Sequence, residues 1–165
     1  MFYGDVFRAL GERRVRYAVA GGIALVLHGV VRLTVDLDIM LDLSQGNIEK
    51  FLAVMSDLCY APKQHIKAED LCDPMIRTQW KEEKNMVVCS FYHSAKPMQV
   101  IDVFIEEQIS FQEIEKEMVW FEAADVKIPA VSRKHLKQLK LLAQRPQDIA
   151  DVEILNALEK DEENI

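Results

Sequence analysis

The sequence predicts an α/β (α+β) fold in which a mixed β-sheet is flanked by helices. Apolar residues recur at helical spacing near both ends of the chain, and apolar runs with a period of two occupy its middle. The two patterns alternate as helix, strand, helix, strand, helix, then strands, then helices. No internal repeat, low-complexity tract or Pro/Gly-rich linker interrupts them. One domain over residues 1–160, followed by a charged tail at 161–165, accounts for all 165 residues.

The first element, Phe2 to about Glu12, is a helix with Phe2, Val6, Phe7 and Leu10 on its apolar face. Val15–Ala20 is a short β-prone run closed by Gly21-Gly22, and Ile23–Leu27 continues as a small apolar helix ending near Gly29. Leu33–Leu41 alternates with a strand period: Val35, Leu37, Ile39 and Leu41 face one way, Asp36, Asp38, Met40 and Asp42 the other. Asn47–Leu58 places Ile48, Phe51, Leu52, Met55 and Leu58 at helix spacing. Asp73-Pro74 supplies a cap residue and a first-turn proline for a helix to about Glu83. Met86–Tyr92 and Met98–Ile105 are strands joined by a turn around Ser94–Pro97, and Val119–Glu122 with Val126–Ile128 forms a smaller hairpin. Ser132 caps a helix to about Gln144, Pro146 opens a last helix to about Glu159, and Lys160–Ile165 is expected to fray.

Composition narrows the function classes. Half the residues are hydrophobic and 28% are charged, a globular profile. With a net charge of −7, general nucleic-acid binding is disfavoured, because that affinity depends on neutralising phosphates. The N-terminal stretch lacks the order of a signal peptide, and no apolar run reaches the length of a bilayer span. Cys59, Cys72 and Cys89 are odd in number and in no metal-ligand spacing, as expected of reduced cysteines in a cytoplasmic protein.

The candidate chemistry lies in YAVAGGIALVLHGVVRLTVDLDIML, residues 17–41, together with Asp102 in the apolar run VIDVFI. Asp36 and Asp38 are two apart, so on an extended strand both carboxylates leave one face. Read alone, they also fit the solvated face of an edge strand. Asp102 has apolar neighbours on both faces, which marks a central strand, and a buried carboxylate must be paired or bound to a metal. The bland alternative is an ion pair, with Arg32 a candidate partner. Three such acids on neighbouring strands make an oxygen-rich site suited to Mg²⁺, and two ions there can stabilise both oxygens of an in-line displacement. Gly21 and Gly22 would let backbone N–H groups of the following helix approach phosphate.

Gly-Gly, a spacer, Asp-Leu-Asp and a later Asp in an apolar strand resemble the nucleotidyltransferase superfamily with the polymerase-beta-like core. The segments VAGGIALVLHGVVRLTVDLDIML and VSRKHLKQLKLLAQRPQDIADVEIL are most similar to small bacterial proteins related to AbiEii-type toxins. The resemblance implies an NTP donor, two Mg²⁺ ions, catalytic and metal-binding roles for Asp36, Asp38 and Asp102, and triphosphate contacts from Gly21 and Gly22. It also implies that Lys140 lies near the phosphates, where the residue pattern alone equally allows a solvated helix position. Arg145, Asp148 and Asp151 match the family's last-helix signature and are expected to be caps and ion pairs joining the final helices. The implied reaction moves an NMP group to an acceptor hydroxyl on an RNA end, a protein or a small molecule, in a toxin–antitoxin context or with a partner protein or homodimer completing the pocket. Many members carry serine where Gly22 stands. That departure keeps open a second reading, a non-catalytic nucleotide- or partner-binding regulator.

Overall fold

The computed structural model describes residues 2–164. Its core is a seven-stranded sheet, and the strands are best met in spatial order. β3 (Tyr60–Pro62) lies at one edge, followed by β4 (Val88–His93), β5 (Lys96–Phe104), β2 (Leu37–Leu41), β1 (Tyr17–Val19), β7 (Val126–Ala130) and, at the other edge, β6 (Val119–Ala123). The β2–β5 and β1–β7 pairs are parallel and the others antiparallel, so the sheet is mixed as expected. Helices α1 (Gly4–Glu12), α2 (Gly21–Leu27), α3 (Gln45–Asp57), α4 (Pro74–Lys84), α5 (Phe111–Glu117), α6 (Arg133–Ala143) and α7 (Pro146–Glu163) complete the chain.

Local chemistry sets several helix ends. The Asp73 side chain accepts the Met75 N–H at 2.8 Å while Pro74 occupies the first turn, where no N–H is needed. Ser132 accepts the His135 N–H at 3.2 Å at the start of α6. Leu37, Ile39, Ile101 and Val103 are fully buried, which places β2 and β5 at the centre of the core.

The structure departs from the periodic reading at definite points. β2 begins at Leu37, not Leu33; Val31 and Leu33 are fully exposed, and Met40 is buried rather than on a polar face. β2 lies between β1 and β5 with both faces covered, so simple alternation misjudged it. β3, α5 and a 3₁₀ turn at Ala68–Cys72 were not expected. α7 continues past Glu159 to Glu163, with Glu162 bonded to Arg133; of the tail expected to fray, Ile165 lies outside the described residues. Cys59, Cys72 and Cys89 are free thiols. Among the described residues no helix is long and apolar enough to cross a membrane.

Candidate active site

Asp38 lies opposite Asp102 on the parallel strands β2 and β5, with Leu37 opposite Ile101 and Ile39 opposite Val103. Residues paired in register share a face of the sheet, so the two carboxyls emerge together. Asp36 stands just before β2 and is exposed. Beside them, the Ala20 N–H donates to the Asp38 carbonyl at 2.9 Å and the chain turns at Gly21, φ +59°, into α2. A Cβ on Gly21 would lie 1.9 Å from Asp38 Oδ2, and one on Gly22 would lie 2.4 Å from Thr34 Oγ1. Both glycines are therefore required by the close approach of the acid-bearing segment, whatever else binds there.

These groups line one cleft of about 810 Å³, within the size range of small-molecule sites. Phe104 and Val88 form part of one wall, and Leu139 and Lys140 of α6 part of the other. Sequence reasoning brought Gly21, Gly22, Asp36, Asp38, Asp102 and Lys140 to this place, and all six line it. It missed Thr34, which lines the cleft and carries no motif signal, and it missed Tyr3, buried outside the lining, whose hydroxyl is 2.7 Å from the Val35 carbonyl and 2.9 Å from the Val100 carbonyl.

Burial pushes the Asp38 carboxyl up to about 6; Asp102 and Asp36 add to the rise, while a Gly22 backbone hydrogen bond and Lys140 oppose it. Burial raises Asp102 as well, against a lowering by the Ser90 side chain opposite it and by Lys63, and with a further rise from Asp36. Asp102 Oδ1 is buried without a hydrogen-bond partner among the described residues. Arg32 does not fill that role. Its guanidinium bonds both oxygens of Asp151. The ion-pair explanation of Asp102 is thus corrected: the arginine is engaged on α7, where a second acid was waiting for it.

Lys140 is 6% exposed, so the solvated alternative for it is also corrected. Its Nζ donates to Asp148 Oδ1 at 3.0 Å and Asp151 Oδ2 at 2.7 Å. Arg145 Nε lies 3.1 Å from Asp148 Oδ2. This network joins α6, α7 and the loop before β2, as expected for Arg145, Asp148 and Asp151, although Arg145 makes no side-chain cap bond. The cleft's lining cations, Arg32, Lys140 and Arg145, all pair with Asp148 or Asp151, and among the described residues none of them forms an ion pair with Asp36, Asp38 or Asp102.

Among the described residues no three His, Cys, Asp or Glu side chains are placed to hold a metal ion as they stand. The donor chemistry of Asp36, Asp38 and Asp102 nevertheless fits a hard divalent cation: every donor is a carboxylate oxygen and one buried oxygen is orphaned.

No protein-family model matches the chain, and no curated protein matches it in sequence. Solved structures do match. The lincosamide antibiotic adenylyltransferase LnuA, lincomycin-bound, superposes with a TM-score of 0.56 at 17% identity, covering 92% of each chain. ANT(2'')-Ia in complex with adenylyl-2''-tobramycin gives a TM-score of 0.59 at 13% identity, covering 96% of this chain and 88% of that one. The solution structure of the antibiotic-resistance factor ANT(2'')-Ia gives 0.53 at 13% identity, over 99% and 91%. The similarity is one of architecture: the chain has the nucleotidyltransferase fold.

Proposed function

We propose that this chain is a metal-dependent nucleotidyltransferase that moves an NMP group from an NTP to an acceptor hydroxyl. The observation that carries the reading is the register of Asp38 with Asp102, with Asp36 and the Gly21 turn beside them in one cleft. Asp36 and Asp38 would hold both of two Mg²⁺ ions and Asp102 one of them. Those ions would neutralise charge on the attacking and leaving oxygens.

The protein's own groups have distinct tasks. Gly21 and Gly22 let the backbone approach the triphosphate without a side chain between. The Lys140 ammonium has three N–H donors and gives two to Asp148 and Asp151, so a third is left for a phosphate oxygen. As the acceptor oxygen attacks the α-phosphorus, its proton passes to the Asp102 carboxylate. The bond from the α-phosphorus to its bridging oxygen breaks, and pyrophosphate leaves with that electron pair.

The sequence resemblance to AbiEii-type proteins points to an RNA end or a protein as acceptor, in a toxin–antitoxin setting. The fold neighbours are named for small antibiotics. Those neighbours suggest a small hydroxylated molecule as the acceptor class.

The test is thermal unfolding with Mg²⁺ and each of the four NTPs. Nucleotide at a hundredfold excess over its Kd is expected to raise Tm by roughly 5–10 °C. Asp38→Ala and Asp102→Ala should lose that shift. A wild-type Tm that moves with none of the four NTPs overturns the reading. Incubating the protein with labelled NTPs and cell extract then decides the acceptor, according to whether a metabolite, RNA or a protein takes up label.

A further inference from the structure

Carrying the β2–β5 register one step back from Leu37 opposite Ile101 would set Asp36 opposite Val100. The ladder stops instead, and the Tyr3 hydroxyl occupies the break. It accepts the Val100 N–H at 3.1 Å and lies 2.7 Å from the Val35 carbonyl and 2.9 Å from the Val100 carbonyl. A phenol has one proton and two lone pairs, so it can receive an N–H from one strand while donating to a carbonyl of the other. It bridges the position where a direct rung between the two strands would otherwise form. The ring cannot retreat: Tyr3 is 2% exposed, with Phe2 edge-on at 5.2 Å and Phe7 at 6.5 Å. Tyr3 also sits at the N-cap of α1, a rigid element packed on the core.

The consequence falls on Asp36. In an unbroken strand its carboxylate would follow Asp38 at the fixed spacing of alternate residues, about 7 Å. Released from the ladder at Leu37 yet tied through Val35, Asp36 is exposed, whereas Asp38 inside the strand is half-buried. We propose that Tyr3 is a positioning residue which sets the Asp36 carboxylate relative to Asp38 and Asp102 by bridging the two acid-bearing strands. In its metal-binding consequence this rests on the nucleotidyl-transfer reading; the geometric claim does not.

The experiment measures binding of Mg²⁺ with a non-hydrolysable NTP analogue by calorimetry, for wild type, Tyr3→Phe, Asp36→Ala and the double variant. Tyr3→Phe removes one oxygen and keeps the ring. It is expected to weaken binding roughly tenfold or more, as loss of a residue that orients a metal ligand does. Once Asp36 is alanine, Tyr3→Phe should cause no further loss, because its effect runs through that side chain. Tyr60→Phe is the control: it removes a 2.6 Å bond to Gln99 on the same strand, β5, and should leave binding unchanged. Unchanged binding in Tyr3→Phe overturns the proposal, as does a loss that persists in the Asp36→Ala background. Should the wild type bind no Mg²⁺-nucleotide, the nucleotidyl-transfer reading falls. NMR then decides the positioning claim: Asp36 backbone and carboxyl resonances that shift in Tyr3→Phe but not in Tyr60→Phe support it, and unmoved resonances overturn it.

Discussion

Asp102 faces Asp38 across a parallel strand pair and raises the proton affinity of its partner, beyond what burial alone does. Such a pair opposes folding at neutral pH. A carboxyl that would titrate near 3.8 in the unfolded chain and near 6 in the folded one disfavours the charged native state by on the order of 3 kcal/mol. Asp38→Asn removes the buried charge, and with it both the desolvation cost and the smaller repulsion from Asp102 and Asp36, while keeping the shape. In EDTA at neutral pH the variant is expected to melt several degrees above wild type, at about 2–4 °C per kcal/mol for a chain of this size. It should also lose the stabilisation by Mg²⁺ and NTP. A variant that melts below wild type would show that Asp38 holds the fold together and is no functional burden on it.

The same shift sets a pH signature. Because the folded value is raised, Asp38 contributes its stability below the usual carboxylate range and loses it as pH climbs through about 6. Other acids act in the opposite sense: Asp42, held low by a Ser44 backbone bond and Arg16, gains stability as pH rises. A melting curve of the wild type alone therefore mixes both. The informative quantity is the difference in Tm between Asp38→Asn and wild type in EDTA. It should be small near pH 4 and reach its full value near pH 7. A difference that does not change with pH excludes the titration.

The diglycine turn can be probed without touching an acid. At Gly21 an alanine meets a left-handed backbone and the Asp38 carboxylate at once, so Gly21→Ala should displace Asp38 and abolish the Mg²⁺-NTP shift. Gly46→Ala is the comparison. Nothing lies within 4 Å of a Cβ there and the site is in the first turn of α3, so alanine should be neutral or stabilise by under about 1 kcal/mol and leave nucleotide binding intact. Equal thermal responses to Mg²⁺ and NTP from the two variants would disprove the close fit at Gly21.

What the chain reveals before folding follows from what is local. The Gly21-Gly22 pair, the Asp36–Asp38 spacing and the lone Asp102 are contiguous patterns, and the sheet brings them to one cleft. α5 was also legible but overlooked: Ser110 and Glu113 have capping-box spacing, and the Ser110 hydroxyl accepts the Glu113 N–H at 3.4 Å and donates to the Glu113 carboxylate at 2.9 Å. Other features are not local. Tyr3 meets Val100 across 97 positions, and Arg32 chooses Asp151 over Asp102 across 119, choices that only the assembled sheet and helices impose. The late start of β2 belongs to the same class, since the alternation begins at Leu33 whereas the ladder begins only at Leu37, beyond the Val35 carbonyl that a distant hydroxyl bonds.

Lys140 gives the last prediction, because its two roles separate experimentally. It is buried between Asp148 and Asp151, which also hold Arg145 and Arg32. Removing a cation from such a group strands buried negative charge, at about 3–5 kcal/mol. Lys140→Met should therefore lower Tm by roughly 10 °C, whereas Arg13→Ala, which breaks an exposed pair with Asp57, should cost under about 1 kcal/mol. Adding Asp148→Asn to Lys140→Met removes one stranded charge and is expected to recover part of the lost Tm. If that double variant regains stability but still binds Mg²⁺-NTP more weakly than wild type, the ammonium serves the nucleotide as well as the helices. If nucleotide affinity returns together with Tm, Lys140 is structural alone.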